Sequence, residues 1–456
     1  MHPKNSAQRL GTEPLTKLIF SLALPAVLAQ LVNLLYNIVD RIYIGHLPGV
    51  GPLALTGLGL CSPLLMLVSA FAAFAGNGGA PLAAIELGRG DREKANHILA
   101  NAMVLIGGFS VILTVLLLLV KRPLLYFFGA SDATIDFADD YLTVYLCGTL
   151  FVQIALGLNT FITCQGQAKT AMVSVLIGAV SNIVLDPIFI FVLDMGVKGA
   201  ALATVLSQML SAAWVLRFLF SDRSLLRIDL RDVKAHWPTI GRIASLGVSP
   251  FIMNSTESLI AIVFTSGLQR YGGDTYVGTY TVLQSAMQLM FVPASGFSHG
   301  TQPIVSYNYG AGNYDRVKKT FRLISLICLV YTMGFYLFTA ACPRVLAGIF
   351  TSDEAFLALC AEKLPIFLFG MSIFAFQMAA QSAFLGMGQA KISLFIACLR
   401  KILLLTPLAL ILPRFFGVDG IYYAEPISDA ISALTSLGLF LWVSHTKLKE
   451  PGDLVK

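Results

Sequence analysis

Apolar stretches of about 20 residues recur along the whole chain and are separated by short polar segments. A helix of 20 residues rises about 30 Å, which matches the hydrocarbon thickness of a bilayer. The pattern therefore predicts twelve transmembrane helices. The first six lie near residues 18–45, 53–78, 96–120, 140–163, 170–193 and 199–220. The next six lie near residues 242–269, 276–303, 320–342, 358–385, 392–413 and 418–443.

Three short segments occur twice in the chain, at a nearly constant offset of about half its length. The pairs are QGQAK at Gln165 and MGQAK at Met387, ELGRGDREKA at Glu86 and NYGAGNYDRV at Asn308, and MGVKGAALAT at Met195 and FGVDGIYYAE at Phe416. Matches at one offset indicate an internal duplication. We predict two six-helix repeats, an N-lobe over residues 1–220 and a C-lobe over 241–456. A polar cytoplasmic linker at 221–240 joins them.

Composition and charge support a membrane location and suggest its orientation. Charged residues make up 12% of the chain, against about 25% in soluble domains. Hydrophobic residues reach 56%, and the mean hydropathy is +0.77. The termini and the loops on their side carry 21 Lys and Arg residues, whereas the opposite loops carry six. The positive-inside rule then predicts a multi-pass protein of the inner (cytoplasmic) membrane with both termini cytoplasmic. Two repeats of six helices must have parallel orientation, so the predicted fold class is an all-α integral membrane protein with two parallel repeats.

Several other classes of function find little support in the chain. The net charge of +6 follows from the basic cytoplasmic loops, so no nucleic-acid partner is expected. The seven cysteines are scattered, the histidines lack metal-ligand spacing, and no phosphate-binding glycine loop occurs. The segment GFSHG at 296–300 formally fits a nucleophile elbow, but that motif needs a strand-to-helix turn and this copy lies in an apolar helix. We predict neither an enzyme nor an organic cofactor.

Acidic residues inside predicted spans are the main candidates for function, because a carboxylate in hydrocarbon costs several kcal/mol. In the first repeat these are Asp40 in helix 1 and Asp186 in helix 5, with Asn182 one turn before Asp186. Thr204 of helix 6 lies at a similar predicted depth, roughly 8–11 Å below the outer helix ends. Two close carboxylates with an amide and a hydroxyl could bind H⁺ or Na⁺. The plainer alternative is that Asp40 pairs with a nearby cation such as Arg41, although adjacent helical residues point about 100° apart.

The second repeat does not reproduce this set of ligands. Where the first repeat has Asp186 and Pro187, the second has Thr406 and Pro407. Its own intramembrane charges are Glu257 in helix 7, Arg400 and Lys401 in helix 11, and Glu425 and Asp429 in helix 12. Some of these charges are expected to neutralise one another. Glu257, near the middle of its helix, is the best candidate to face a cavity and attract a cation.

Taken together, these features resemble the multidrug and toxic compound extrusion (MATE) family. The resemblance rests on the two six-helix repeats, Asp40, SNIVLDP in helix 5, the GQAK turns and VSYNYGAGNYDRVKK after helix 8. It implies two lobes around a central cavity, from which organic cations and other drugs are exported in exchange for H⁺ or Na⁺. It also implies a cation site at Asp40, Asn182, Asp186 and Thr204, and a role for the Glu257 position. Some members carry an aspartate in helix 10, which this chain lacks, so coupling is predicted in the N-lobe.

Residues of helices 7, 8 and 10 are candidates to line the predicted cavity, because thioethers and aromatic rings suit varied flat ligands. They are Met253, Met287, Met290, Phe291, Met371, Phe374, Gln377 and Met378, with Gln381 as a further polar group. Pro25 lies fifteen residues before Asp40 in helix 1 and is the predicted hinge, because proline permits a helix to kink. A purely structural kink is the alternative at this position.

Three alternatives to drug antiport stay open from the sequence. A flippase for lipid-linked saccharides or another amphipathic substrate fits the same architecture, although a pyrophosphate headgroup would require a cationic cavity. A membrane enzyme lacks a catalytic constellation, and a channel fits duplicated lobes less well than alternating access does. The expected partners are amphipathic or cationic small molecules and the bilayer, and the expected state is a monomer. Whether H⁺ or Na⁺ is the coupling ion stays open.

Overall fold

The computed structural model describes residues 3–229, 233–349 and 354–448, and within them every regular element is helical. We number the helices in chain order. The first eight are α1 (Pro3–Thr12), α2 (Leu15–Gly45), α3 (Gly51–Gly88), α4 (Arg92–Phe127), α5 (Ile135–Cys147), α6 (Thr149–Thr163), α7 (Ala168–Val192) and α8 (Gly196–Phe220). The other eight are α9 (Trp237–Gly272), α10 (Asp274–Gly310), α11 (Tyr314–Ala341), α12 (Pro343–Ala347), α13 (Glu354–Leu368), α14 (Ala375–Gly386), α15 (Ala390–Phe416) and α16 (Val418–Thr446). The predicted all-α membrane fold is confirmed.

Each of the twelve predicted spans coincides with one helix or with a broken helix. Among the described residues, nine helices are long and apolar enough to cross a membrane, and α5 with α6 forms a tenth span bent by 64°. The two other predicted spans match α10, which is rich in polar residues, and the pair α13 and α14. A 3₁₀ turn at Gly370–Ser372 separates that pair. The exact count of twelve is therefore not confirmed, because these two segments fall short on length or hydropathy.

The described chain divides into two compact units, and two helices contribute residues to both. The first unit comprises residues up to Thr12 together with Leu28–Asn254, and the second comprises Glu13–Val27 and Ser255 onward. The new unit begins three residues after Pro25 within α2, at Leu28, and five residues after Pro250 within α9, at Ser255. The sequence-based lobe boundaries at 220 and 241 follow the repeat instead, and they stay a prediction. Residues 230–232 of the predicted linker lie outside the described residues.

Glycine faces explain how each unit accepts half of a helix from the other repeat. In the first unit, a Cβ on Gly78 of α3 would lie 2.4 Å from the carbonyl oxygen of Ile243 in α9. In the second unit, a Cβ on Gly300 of α10 would lie 2.8 Å from the Cα of Ala23 in α2. Only glycine permits backbones to approach this closely, as is common between membrane helices. Gly78 ends the segment FAGNG and Gly300 ends GFSHG, 222 residues later, so the two segments correspond at the repeat offset and each packs against a helix of the other repeat.

The repeated GQAK segments form matching turns before α7 and α15. Gly166 and Gly388 have φ values of +80° and +69°, a left-handed conformation that glycine adopts without strain. The residue before GQAK differs between the two copies. Gln165 is buried, and its Oε1 accepts hydrogen bonds from the backbone N–H groups of Leu225 and Leu226, at 2.7 and 3.2 Å. Gln165 thus holds the start of the linker in place. Its counterpart Met387 has no side-chain amide and cannot form such hydrogen bonds.

Candidate functional site

Two buried carboxyl groups from α2 and α7 face one another in the first unit. Asp40 is 8% exposed and Asp186 is fully buried. Their carboxyl groups lie within hydrogen-bonding reach of each other, so the acids predicted on separate helices do meet. No ion pair joins Asp40 to Arg41 in the described part of the chain. Two carboxylates this close in a low-dielectric interior repel each other unless a proton or a cation lies between them.

The amide and hydroxyl predicted from the sequence complete this cluster. Asn182 donates a hydrogen bond through Nδ2 to Asp186 Oδ1 at 3.2 Å, and the same group lies 3.4 Å from Thr204 Oγ1. The buried oxygens Asp40 Oδ1, Asn182 Oδ1 and Asp186 Oδ2 have no hydrogen-bond partner among the described residues. A buried acceptor without a partner costs free energy, which binding a proton or a hard cation would recover.

Two tyrosines that were not predicted from the sequence also belong to this cluster. The Tyr141 side chain, on α5, lies near Thr204 and Asp40. Tyr36 precedes Asp40 by one turn of α2 and lies near both carboxyl groups. The four-residue spacing of Tyr36 and Asp40 predicts that both side chains lie on the same face of the helix. No sequence pattern predicts that Tyr141 lies in this cluster, because its position depends on how α5 packs against the other helices.

The local backbone at Asp186 departs from a regular α-helix. Pro187 lacks a backbone N–H, and the residues after it, Ile188–Val192, form a π-helical turn at the end of α7. Such turns are frequent at functional sites because they redirect side chains without ending the helix. The second repeat has a longer π-helical segment, Leu399–Leu405, just before Thr406 and Pro407. The proline thus occurs in both repeats, but the π-helical segment follows it in the first and precedes it in the second, and the acid occurs only in the first.

A second charged cluster lies in the second unit, where α15 meets α16. Arg400 donates from Nε to Asp429 Oδ1 at 2.7 Å and from Nη2 to Glu425 Oε1 at 3.0 Å. Its guanidinium carbon also lies 4.4 Å from the ring centroid of Phe374. These ion pairs agree with the expectation that some charges of the second repeat neutralise one another. Glu425 Oε2 and Asp429 Oδ2 keep no hydrogen-bond partner among the described residues.

Glu257 belongs to the edge of this second cluster. Its carboxylate forms an ion pair with the ammonium group of Lys401, the neighbour of Arg400 in the π-helical segment. The Glu257 side chain is half-exposed, whereas the Lys401 side chain is buried. Three acids and two bases therefore meet in this part of the unit, which leaves one negative charge in excess when all five are ionised. The open side of Glu257 is where a further cation could approach.

The predicted cavity residues vary in exposure, and their role stays a prediction. Buried members are Met290, Met371, Phe374, Gln377, Met378 and Gln381. Partly buried members are Met253, Met287 and Phe291. The Phe291 and Phe374 rings lie 6.5 Å apart, and Gln377 Oε1 has no partner among the described residues. The described residues contain no cluster of three or more His, Cys, Asp or Glu that could hold a metal ion.

Comparison with known proteins agrees with the two-repeat arrangement. A family model described as MatE matches the chain twice in series, over residues 25–188 and 250–411. This chain belongs to the MatE family. The resemblance proposed from the sequence is therefore confirmed, and each match covers most of one predicted repeat.

Relatives and solved structures extend the MatE similarity over nearly the whole chain. The multidrug export protein MepA of Staphylococcus aureus (strain NCTC 8325 / PS 47) is 22% identical over 435 residues, 93% of each chain. An outward-facing structure of a multidrug resistance MATE family transporter is 25% identical, with a TM-score of 0.88, and covers 97% of this chain and 99% of that one. A MATE structure in the bent conformation is 26% identical, with a TM-score of 0.90, over 96% and 98%.

Proposed function

We propose that this MatE-family chain exports organic cations and other amphipathic drugs across the cytoplasmic membrane in exchange for H⁺ or Na⁺. The observation that carries the proposal is the close pair of buried carboxyl groups, Asp40 and Asp186, each with an acceptor oxygen that has no hydrogen-bond partner among the residues described. A buried acid pair that cannot be satisfied by the protein alone is suited to bind and release a small cation. Similarity to a multidrug export protein over 93% of the chain supports the substrate class.

The mechanism we propose is alternating access, with both termini in the cytoplasm. A ligand shifts a conformational balance only through different affinity for the two states. In this scheme the cation and the drug prefer different states of the transporter, so loading of Asp40 and Asp186 releases the drug outside. The excess of acid in the second cluster supports cationic substrates and argues against a flippase for pyrophosphate-linked saccharides. No step of this scheme requires bond chemistry or an organic cofactor.

Dye efflux from proteoliposomes tests the proposal and also distinguishes the two coupling ions. Purified protein would be reconstituted, and efflux of a cationic dye would be driven by a pH gradient alone or by a Na⁺ gradient alone. We expect at least one gradient to drive efflux against the dye gradient. In detergent, raising the concentration of that same ion should weaken dye binding. Efflux indifferent to both gradients, or dye affinity independent of both ions, would rule antiport out.

Replacing Glu257 with glutamine should reduce the transport of cationic dyes more than that of neutral dyes. The carboxylate offsets the desolvation cost of an entering cation, and without its negative charge the nearby ammonium group of Lys401 repels cations more strongly. We expect a loss of several-fold for cationic dyes, measured as initial efflux rates at matched protein levels. The control is Glu354→Gln, which removes an exposed acid from the same unit. An equal loss for both dye classes would instead assign Glu257 to coupling or to structure.

Replacing Pro25 with alanine should slow exchange while leaving drug binding near normal. Pro25 lies where α2 changes from the second compact unit to the first, and alanine would restore the missing backbone donor and favour a straight helix. A solved MATE structure is described as being in the bent conformation, which supports a hinge in this family. The measurement compares dye affinity with turnover in proteoliposomes, and Pro63→Ala in α3 is the control. Unchanged turnover in the Pro25 variant would show that Pro25 forms a structural kink and is not a hinge for transport.

A further inference from the structure

A groove in the second unit is complementary in shape and charge to an amphipathic ligand. It lies between the beginning of α11 and the end of α16, and Phe376 of α14 contributes to its wall. The volume is about 490 Å³, within the range of about 300–1,000 Å³ that is usual for small-ligand sites. The charged clusters described above do not line it. We call it the basic groove.

Positive and hydrogen-bonding side chains gather at one end of the basic groove. Lys318 and Arg322 lie one turn apart on α11, and His445 lies near the end of α16. None of the three forms an ion pair within the described part of the chain, whereas the adjacent Lys319 pairs with Asp315 at 2.6 Å. Among the described residues that line the groove, none is acidic. This end is therefore a site of uncompensated positive charge.

The rest of the basic groove is apolar and extends away from these charges. Its floor includes the stacked rings of Phe321 and Phe440, whose centroids lie 3.5 Å apart. Leu329 and Leu437 continue the lining. At about 1.5 Å per residue, Leu329 lies roughly 16 Å along α11 from Lys318, and Leu437 lies roughly 12 Å along α16 from His445. A ligand with an anionic head and a long apolar tail fits this polarity.

One buried polar group between the two ends also requires a partner. Ser325 lines the groove and is 5% exposed, and its Oγ has no hydrogen-bond partner among the described residues. A buried hydroxyl without a partner is unfavourable, and an acceptor carried by a bound ligand would satisfy it. It lies one turn beyond Arg322 along α11, at the boundary between the charged and apolar parts. An ester oxygen between a phosphate and an acyl chain occupies the same relative position in a phospholipid.

We propose that the basic groove binds one anionic phospholipid of the cytoplasmic leaflet. Its phosphate contacts Lys318 and Arg322, its ester region accepts from Ser325, and one acyl chain covers Leu329 and Leu437. The choice of leaflet rests on the proposed orientation, which puts the start of α11 and the end of α16 at the cytoplasmic surface. Basic pockets between helices on that side are suited to anionic headgroups. Lipid binding itself does not depend on the transport activity.

Native mass spectrometry of the full-length protein tests this proposal directly. Delipidated protein would be titrated with phosphatidylglycerol, with phosphatidylcholine of the same acyl chains, and with glycerol 3-phosphate. We expect one preferential phosphatidylglycerol site and no comparable binding of the other two probes. Each basic residue near the surface contributes about 1 kcal/mol, or about fivefold in affinity. The variant K318Q/R322Q should therefore bind phosphatidylglycerol at least about tenfold more weakly.

A matched control separates a specific site from general charge attraction. The variant K319Q/K391Q removes the same charge from two exposed lysines outside the groove, and it should bind phosphatidylglycerol like the wild type. Leu329→Trp should block the apolar part and weaken binding while keeping both basic groups. Equal losses in the two double variants, or equal affinity for both lipids, would overturn the proposal. Strong binding of glycerol 3-phosphate would overturn it as well, because it would indicate an anion site without a lipid tail.

Discussion

Replacing Asp186 with asparagine should reduce ion-driven drug efflux to the level of empty vesicles. The amide has the size of the carboxyl group and keeps contact with Asn182, but it cannot take up a proton or supply a negative charge to Na⁺. The substitution also removes repulsion within the pair, so the protein should stay folded and reach the membrane in normal amount. Asp40→Asn should have the same effect, because both carboxyl groups contribute to one site.

The measurement for this prediction is dye efflux in proteoliposomes under the gradient that drives the wild type. Dye affinity in detergent is measured alongside, and it should lose its dependence on the coupling ion in both variants. Asp136→Asn is the matched control, since it makes the same change at an exposed acid of the same unit that pairs with Arg122. Wild-type efflux in either Asp40→Asn or Asp186→Asn would exclude the acid pair as the coupling site.

Replacing Arg400 with methionine should destabilise the protein severely. The guanidinium group holds Asp429 and Glu425 at 2.7 and 3.0 Å, and the two acids are 0% and 3% exposed. Methionine is similar in length and apolar, but it leaves two buried carboxylates close together without the guanidinium group that hydrogen-bonds to both. Removing one partner from a buried ion pair typically costs about 3–5 kcal/mol. We expect a large fall in the apparent melting temperature and in the yield of monodisperse protein.

Two further variants distinguish loss of charge balance from loss of packing at Arg400. Adding Glu425→Gln and Asp429→Asn to Arg400→Met removes the uncompensated charges, so much of the stability should return. Arg344→Met breaks an exposed pair with Glu354 at 2.7 Å, and exposed pairs are generally worth only about 0–1 kcal/mol. If Arg400→Met melts at the same temperature as Arg344→Met, the cluster does not stabilise the fold.

Several features of the acid pair were predictable because they depend on local periodicity. Asn182 and Asp186 share a face through their four-residue spacing, and the same rule would have added Tyr36 to Asp40. Matching depth along separate helices predicted that Asp40 and Thr204 would lie at the same level. The depth of a residue in its helix follows from the rise per residue and the ends of the apolar segment alone. Lateral distances between helices do not follow from depth, so the position of Tyr141, on the bent pair α5 and α6, could not be predicted from the sequence.

The pairing of the charges in the second repeat could not be predicted from helical spacing alone. Glu425 and Asp429 lie one turn apart on one helix, and some neutralisation among these acids and the bases Arg400 and Lys401 was expected. The sequence did not decide which base would meet which acid. In a regular α-helix adjacent residues diverge by about 100°, whereas here both lie in a π-helical segment. Arg400 reaches α16, and Lys401 reaches Glu257 on α9.

By itself, the sequence determined the helical membrane fold, the duplication and the chemical identity of the acid pair. Those properties follow from hydrophobic length, a constant repeat offset and the cost of burying charge. The tertiary structure alone decided that Asp40 contacts Asp186, and that α2 and α9 each contribute to both compact units. It also decided that the basic groove forms between α11 and α16. These results depend on how distant helices approach one another, and close approach is set by small residues such as Gly78 and Gly300, whose partners only the folded chain identifies.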